Sequence, residues 1–457
     1  MKKNVVRYLC ILLAIGVCIF GVVSYVEKII SERRPEPDPY EPPAFRVSGK
    51  VSVLHQKADT EAEKKAVKAW VENFEEKYPD VQVEVDTTVL SDEEVEARLA
   101  SGSMADVFYV ESDEVYEIQE KFYLLMPFDF YAETMGINLN AVSPATLAMG
   151  RYKGRTYVVM TDYDRRVLVY NKTLLNKVSG VSDPALEAQN DNWTWDVFKE
   201  YCEKATMREN DNATQAGASL HFGHPAVWLC FAEGFGGRWY DNSEIFFSES
   251  QETIQGLNTM VDFVKSGNAV PTFNDDVSSV LEGVFCDVNA SQIIDAGKVY
   301  ENAGYDWNVV SFPKFESHRS YVTSSGGFGV YRRNNNPDAA AALCLSLCTT
   351  EGARAYNSGQ EFCVPAVQAL QNEDFWKTPV KDAFEEKSDA FYDPLLTKRR
   401  IDRSGILSSL IPGPVAEIVE EGMYALVVNV ENADTSLLEM LEDIDKDANE
   451  CWGSKKK

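Results

Sequence analysis

Residues 50–85 read KVSVLHQKADTEAEKKAVKAWVENFEEKYPDVQVEV, and this stretch decides the fold class. Val51-Ser52-Val53-Leu54 is short and rich in β-formers. From Thr60 to Tyr78, the residues Ala62, Ala66, Ala69, Trp70, Phe74 and Tyr78 recur near helical spacing, and Pro79 ends the helix. Val81-Gln82-Val83-Glu84-Val85 then alternates apolar and polar side chains, the pattern of a strand. Strand, helix, strand makes a βαβ unit.

The same grammar continues outward. A helix is expected over Ser91 to Ser101, with Ser91 as cap and Glu94 at the capping-box position, followed by a strand over Asp106-Val107-Phe108-Tyr109-Val110. Strands separated by helices of this length imply a largely parallel sheet covered on both faces. Ligands of such sheets bind outside the carboxyl ends of the strands, which puts Asp106, Tyr109 and Ser112 near a cleft. Later helices are expected over Pro337–Thr349, Leu410–Tyr424 and Thr435–Asn449, and no fixed-period repeat is visible. The closing GSKKK reads as a disordered tail.

A chain of 457 residues exceeds what one core organises and implies two domains, or three. Hydrophobic residues at 45% and charged residues at 25% are globular values. The net charge of -28 argues against a nucleic-acid partner, because phosphate binding needs a basic stripe. Of nine cysteines, Cys10 and Cys18 lie in an apolar N-terminal run; the other seven form no CxxC pair, so neither a zinc ribbon nor a thioredoxin-type site is indicated. Cys344 and Cys348, four apart in an Ala-rich helix, read as small apolar residues on a buried face.

The N-terminus bears on the compartment. Lys2, Lys3 and Arg7 precede the uncharged run Tyr8 to Val26, longer than a usual signal-peptide core and close to a membrane span. The basic flank stays inside, so everything after Glu27 is expected outside the cytoplasmic membrane. Three fates are open: an uncleaved anchor, which is favoured; cleavage near Val22-Val23-Ser24; and lipidation on Cys18, where Val17 is larger than the residue a lipoprotein signal carries there. Glu32 to Phe45 holds five prolines and reads as an extended spacer, reaching on the order of 40 Å at ~3.1 Å per residue.

Seven segments carry a family resemblance: AWVENFEEKYPDVQVEV (Ala69 to Val85), LASGSMADVFYVESD (Leu99 to Asp113), YKGRTYVVMTDYDRRVLVYNKTLL (Tyr152 to Leu175), NWTWDVFKEYCEKAT (Asn192 to Thr206), FAEGFGGRWYD (Phe231 to Asp241), YDWNVVSFPK (Tyr305 to Lys314) and SSGGFGVYRRNNNPDAAAALCLSLCTTEGARAY (Ser324 to Tyr356). In this order they resemble the family-1 extracellular solute-binding proteins of carbohydrate ABC transporters. The resemblance implies a two-lobed, periplasmic-binding-protein-like α/β fold with discontinuous lobes and a hinge. The expected boundaries are an anchor or signal over 1–31, a Pro-rich linker over 32–48, a first lobe from 49–160 plus 314–362, a second from 161–313 plus 363–450, and a basic tail over 451–457. Crossovers are expected near Val158–Tyr163, Val309–Pro313 and Phe362–Val367. Related proteins commonly carry a proline where this chain has Met160, so hinge geometry is where divergence is expected. Trp195 reads as core, and Gly326, Gly327 and Gly329 as either a tight turn or a close backbone approach.

The resemblance further implies a monomer that captures a mono- or oligosaccharide by lobe closure and hands it to membrane permease subunits, with no catalysis, cofactor or metal. A sugar presents C–H faces to aromatic rings and hydroxyls to paired donors and acceptors. The aromatic candidates are Trp228, Trp239 and Tyr240 around Gly236-Gly237, Tyr163 at the hinge, and Phe328; the polar candidates are Asp106, Asp162, Asp164, Arg165 and Asp241.

Other readings have less behind them. His221 and His224 in HFGH have metal-ligand spacing, but a glycine lies between them and no Glu motif is adjacent. No P-loop, GxSxG elbow or GxGxxG fingerprint is present. The runner-up is a membrane-tethered sensor, or a binder of peptide or metal, on the same fold.

Overall fold

The structure is a computed structural model and describes residues 45–209, 212–241, 244–273, 276–316, 319–360, 363–378, 401–428 and 436–454. The apolar run and nearly all of the proline spacer lie outside the described residues. Among the described residues, no helix is long and apolar enough to cross a membrane.

In chain order the main strands of the two large sheets are β1 (Gly49–Leu54), β2 (Val81–Asp86), β3 (Val107–Glu111), β4 (Val158–Met160), β5 (Asp162–Asn171), β6 (Asn212–Leu220), β7 (Ala269–Pro271), β8 (Gly283–Asn289), β9 (Trp307–Ser311), β10 (Arg319–Ser324), β11 (Gly326–Val330), β12 (Val364–Pro365) and β13 (Ile401–Ser404), and the short strand Met207–Glu209 pairs at the edge with β6. The main helices are α1 (Glu61–Lys77), α2 (Asp92–Ser101), α3 (Glu114–Phe122), α4 (Trp195–Ala205), α5 (Pro225–Ala232), α6 (Gln251–Lys265), α7 (Ile293–Asn302), α8 (Pro337–Ser346), α9 (Thr350–Asn357), α10 (Gly413–Val428) and α11 (Leu437–Ser454). The first sheet runs β2-β1-β3-β11-β4, with β1, β2 and β3 parallel and β11 antiparallel to both of its neighbours. The second runs β7-β6-β8-β5-β10-β13, and β9 and β12 also pair with the long β5.

Local chemistry sets the first helices as the sequence implies. The Thr60 hydroxyl accepts from the Glu63 amide at 3.2 Å while the Glu63 carboxylate accepts from the Thr60 amide at 3.1 Å, a capping box that starts α1. Ser91 and Glu94 repeat it at α2. Trp70 and Phe74 of α1 and the whole run Ala339 to Leu345 of α8 are buried together against the first sheet. With apolar side chains on every face, α8 is enclosed all round, and Cys344 and Cys348 fill space there as small apolar groups. In the second lobe Trp195 packs between Phe231, Phe263 and Phe315, as core. The last helix runs to Ser454, so residues 451–454, assigned above to the tail, are helical.

The chain changes sheet at Thr161, between β4 and β5, within the expected first crossover. The second crossover lies elsewhere than expected. Val309 to Phe312 stay in the second lobe, β10 still pairs with β5, and the change of sheet falls at Ser325, between β10 and β11. Residues 314–316 and 319–324 therefore belong to the second lobe. Around the expected third crossover, β12 touches β5 at Asp162 and Tyr163, but Val367 bridges to Val142 and packs with Leu370 in the first-lobe core. The chain is back in the second sheet by Ile401.

The two crossing residues are tied together. The Thr161 amide donates to the Gly326 carbonyl at 2.9 Å, the Ser325 hydroxyl donates to the Asp162 carbonyl at 2.5 Å, and the Ala366 amide donates to the Thr161 carbonyl at 3.1 Å. Gly327 is required here: a Cβ would sit 2.1 Å from the Val159 carbonyl oxygen of the neighbouring strand.

Candidate functional site

The carboxyl ends of β1 and β3 in the first lobe and of β6, β7 and β8 in the second, together with the crossings at Thr161 and Ser325, mark the place where an α/β fold of this type holds its ligand. The first-lobe rim comprises His55 and Gln56 after β1, the N-terminus of α1, and Glu111 to Glu114 at the end of β3. The second-lobe rim comprises His221 to His224 after β6, Phe273 after β7 and Ser291 after β8. Strand β5 runs antiparallel to β8, so its first residues, Asp162 and Asp164, lie at the same end.

Asp162 and Asp164 occupy one face of β5, two residues apart. The Thr161 hydroxyl donates to Asp162 Oδ2 at 2.8 Å, and Asp164 accepts from the Ser291 hydroxyl at 2.6 Å and the Arg165 amide at 2.7 Å. Both residues are half-buried, and protein surrounds their carboxylates closely. Burial, with the charges of Asp164 and Glu63 adding to it, pushes Asp162 up to about 7. Burial also raises Asp164, against the opposing effect of its hydrogen bonds.

The lips carry more carboxylates. Burial, helped by the Glu111 charge, pushes Glu114 up to about 7, although the Glu111 amide donates to it at 2.8 Å and Lys57 stands nearby. Lys57 is shared among Asp92 at 3.1 Å, Glu111 at 3.7 Å and Glu114 at 3.9 Å. Across the cleft, Glu420 of α10 is raised by burial and then by the charges of Glu417 and Asp113, so acidic side chains of the two lobes face each other. Arg166 is engaged elsewhere: its Nε donates to Asp287 Oδ2 at 2.6 Å inside the second lobe.

Two aromatic features meet this end of the fold. Phe273 and Tyr424 of α10 are 40% and 47% exposed, with ring centroids 5.0 Å apart, and form an open aromatic corner over Gly223. In the first lobe Tyr109 stacks face to face on His55 at 4.0 Å, and its hydroxyl fills the space that any side chain at Gly326 would take. Neither Phe273 nor Tyr424 stands out in the sequence, because what matters is their meeting, made by segments far apart in the chain.

The structure distributes the expected site residues unevenly. Asp162 and Asp164 stand at the hinge end of the cleft. Tyr163 and Arg165 lie on the opposite face of β5 and are buried, with the guanidinium 5.6 Å from the Tyr163 ring centroid. Trp228 and Trp239 are fully buried, packed on each other and on Phe247, which corrects the expectation that they are exposed in the cleft. The reason is topological: α5 starts at the rim with His224 and runs away from it, so the Gly236-Gly237 turn lies beyond its far end. Tyr240 leans on Trp239 at 4.4 Å and Asp241 is exposed in the adjoining turn, both on that far side. Phe328 is fully buried beneath Tyr109 and His55, in contact with Trp70. Asp106 precedes β3 and so stands at the amino end, where its carboxylate accepts from the Ser52 amide and hydroxyl, both at 2.8 Å. It joins two strands and does not face the cleft. His224 caps α5, with Nδ1 accepting from the Ala226 amide at 3.0 Å, and no group of three or more metal-ligating side chains occurs among the described residues.

This arrangement offers acceptors, aromatic faces and a hinge. The comparisons agree with it in fold. Among solved structures, the chain is similar to a cyclic alpha-maltosyl-1,6-maltose binding protein from Arthrobacter globiformis (TM-score 0.68, 15% identity, covering 89% of this chain and 100% of that one). It is also similar to an ABC substrate-binding protein from Listeria monocytogenes in complex with cycloalternan (TM-score 0.62, 17% identity, 89% and 99% covered) and to a sugar-binding protein from Xanthomonas citri (TM-score 0.66, 14% identity, 89% and 98% covered). No curated protein sequence matches. The model of the family described as bacterial extracellular solute-binding protein matches residues 57–353. A match over that much of the chain, on a two-lobed fold with its hinge at Thr161 and Ser325, places this protein in the bacterial extracellular solute-binding protein family.

Proposed function

We propose that this protein captures a carbohydrate between its lobes and delivers it to the membrane subunits of an ABC importer, without chemical change to the ligand. The observation that carries the reading is the pairing of an exposed aromatic corner, Phe273 with Tyr424, with carboxylates at the hinge and lips of the same cleft. Rings take the C–H faces of a sugar and carboxylates accept from its hydroxyls. The structural relatives named above are described as sugar binders, which supports the same ligand class. Contacts made to both lobes favour the closed state, and closure is the signal a permease reads. The N-terminal apolar run and proline spacer support a tether to the outer face of the cytoplasmic membrane.

The test is a thermal-shift screen of the purified chain against mono- and oligosaccharides, with calorimetry on the hits. A ligand present at 100 times its Kd stabilises the folded state by about 2.7 kcal/mol. A chain that responds to peptides or divalent metals and to no saccharide would refute the reading.

A further inference from the structure

We propose that the cleft is built for a linear oligosaccharide of about three units or more, and that Phe273 and Tyr424 set this length preference by holding the unit farthest from the hinge. This rests on the carbohydrate reading and narrows it. Strand β7 pairs with β6, β6 with β8 and β8 with β5, so three strand-to-strand steps separate the end of β7 from the start of β5. At ~4.8 Å per step, the Phe273 ring stands roughly 14 Å along the rim from the crossing at Thr161. A monosaccharide at the hinge cannot reach it. A chain lying along the rim touches both ends.

Helix α10 joins these two ends. Val419, Met423 and Val427 are buried in the second-lobe core, while Glu417, Glu420 and Tyr424 recur at helical spacing on the exposed side. Glu420 faces Asp113 on the lip of the first lobe, and Tyr424, one turn and about 6 Å further along the helix, meets Phe273. The open face of α10 thus runs from the first lobe's lip toward the end of β7, and a ligand lying along it passes from carboxylates to rings. The corner itself has the form of a seat. Its two rings meet at 65°, and Gly223 beneath them leaves the room Tyr424 needs, because a Cβ there would come within 3.3 Å of Tyr424 Cδ2. Rings left this open forgo apolar burial, which the C–H face of a stacked pyranose restores.

The test is calorimetry of the full chain with the mono-, di- and tetrasaccharides of the malto, cello, xylo and chito series. In any series that binds, the tetrasaccharide should bind about tenfold tighter than the disaccharide, as stacking on an open aromatic pair provides. In a Phe273→Ala/Tyr424→Ala variant, confirmed folded by its melting curve, that ratio should fall toward one, whereas Tyr424→Phe keeps the ring and should keep the ratio. If the double variant does not fold, Tyr424→Ala alone, at a ring that already faces water, should lower the ratio. A shorter sugar bound as tightly as its tetrasaccharide, or a ratio that survives loss of the rings, overturns the inference and leaves the carbohydrate reading standing. Binding of no saccharide at all overturns both.

Discussion

Arg166 and Asp287 form an ion pair of 2.6 Å with side chains only 4% and 0% exposed, and Asp287 also accepts the His221 amide at 2.7 Å. One carboxylate thus holds together β5, β8 and the end of β6, directly beneath the second-lobe rim. A buried pair contributes little net stability when compared with apolar residues of the same size, but removing one partner strands the other charge. Asp287→Ala should therefore cost about 3–5 kcal/mol in urea unfolding. Arg166→Met combined with Asp287→Leu should recover most of that loss. A single variant as stable as the parent would show that the pair is not desolvated as described.

The aromatic residues should separate by role. Trp228→Ala and Trp239→Ala open cavities in a closed core and should each cost about 3–5 kcal/mol of stability. Tyr424→Ala removes a ring that already faces water, so it should change the melting temperature little while weakening saccharide binding by up to about tenfold. Melting curves and calorimetry on the same three proteins check this. A Trp239→Ala variant of normal stability and lost affinity would reverse the assignment.

The features legible in the sequence are those that local pattern determines. The helix from Thr60 and the strand at Val81 follow from spacing and a cap, and Ser91 with Glu94 closes its box as written. The second crossover was not legible, because Arg319 to Ser324 and Gly326 to Val330 are consecutive extended runs whose membership of different sheets depends on pairing with β5 and β3. Asp106 shows a subtler failure. The pattern marks its strand, but Asp106 precedes the first residue of that strand, Val107, while the ligand end begins at Glu111. Trp228 and Trp239 look exposed beside two glycines only until Phe247, from a later segment, is packed against them.

Asp162 should make stability depend on pH in an unusual direction. Its folded value is raised to about 7 from an ordinary 3.8 by burial and by Asp164 and Glu63, while the Thr161 hydroxyl opposes the shift. Between those values the unfolded chain gives up the proton and the folded chain keeps it, so its contribution is present below pH 3.8 and is lost as pH rises toward 7. Asp162→Asn should match the parent near pH 4 and exceed it in stability at pH 8. Chemical denaturation at both values checks the sign; a variant less stable than the parent at pH 8 would mean that the carboxylate is ionised and stabilising.

His55 should act oppositely over much of the same range. The ring is 1% exposed, stacked on Tyr109 and edge-on to Phe328, and burial holds it down to about 4 from 6.5. As pH falls from 6.5 toward 4 the unfolded chain takes up a proton that the folded chain refuses, so stability is lost with acid, by at most about 1.4 kcal/mol per pH unit. His55→Phe keeps a ring on Tyr109 and abolishes the titration, so its stability should fall less than the parent's between pH 6.5 and 4.5. Because Asp162 gains stability with acid while His55 loses it, the two single variants should bend the pH–stability curve in opposite senses, Asp162→Asn steepening the acid fall and His55→Phe flattening it. Unfolding midpoints at pH 7, 6, 5 and 4.5 measure both slopes, and parallel curves for His55→Phe and the parent would show that this ring is not the group refusing the proton.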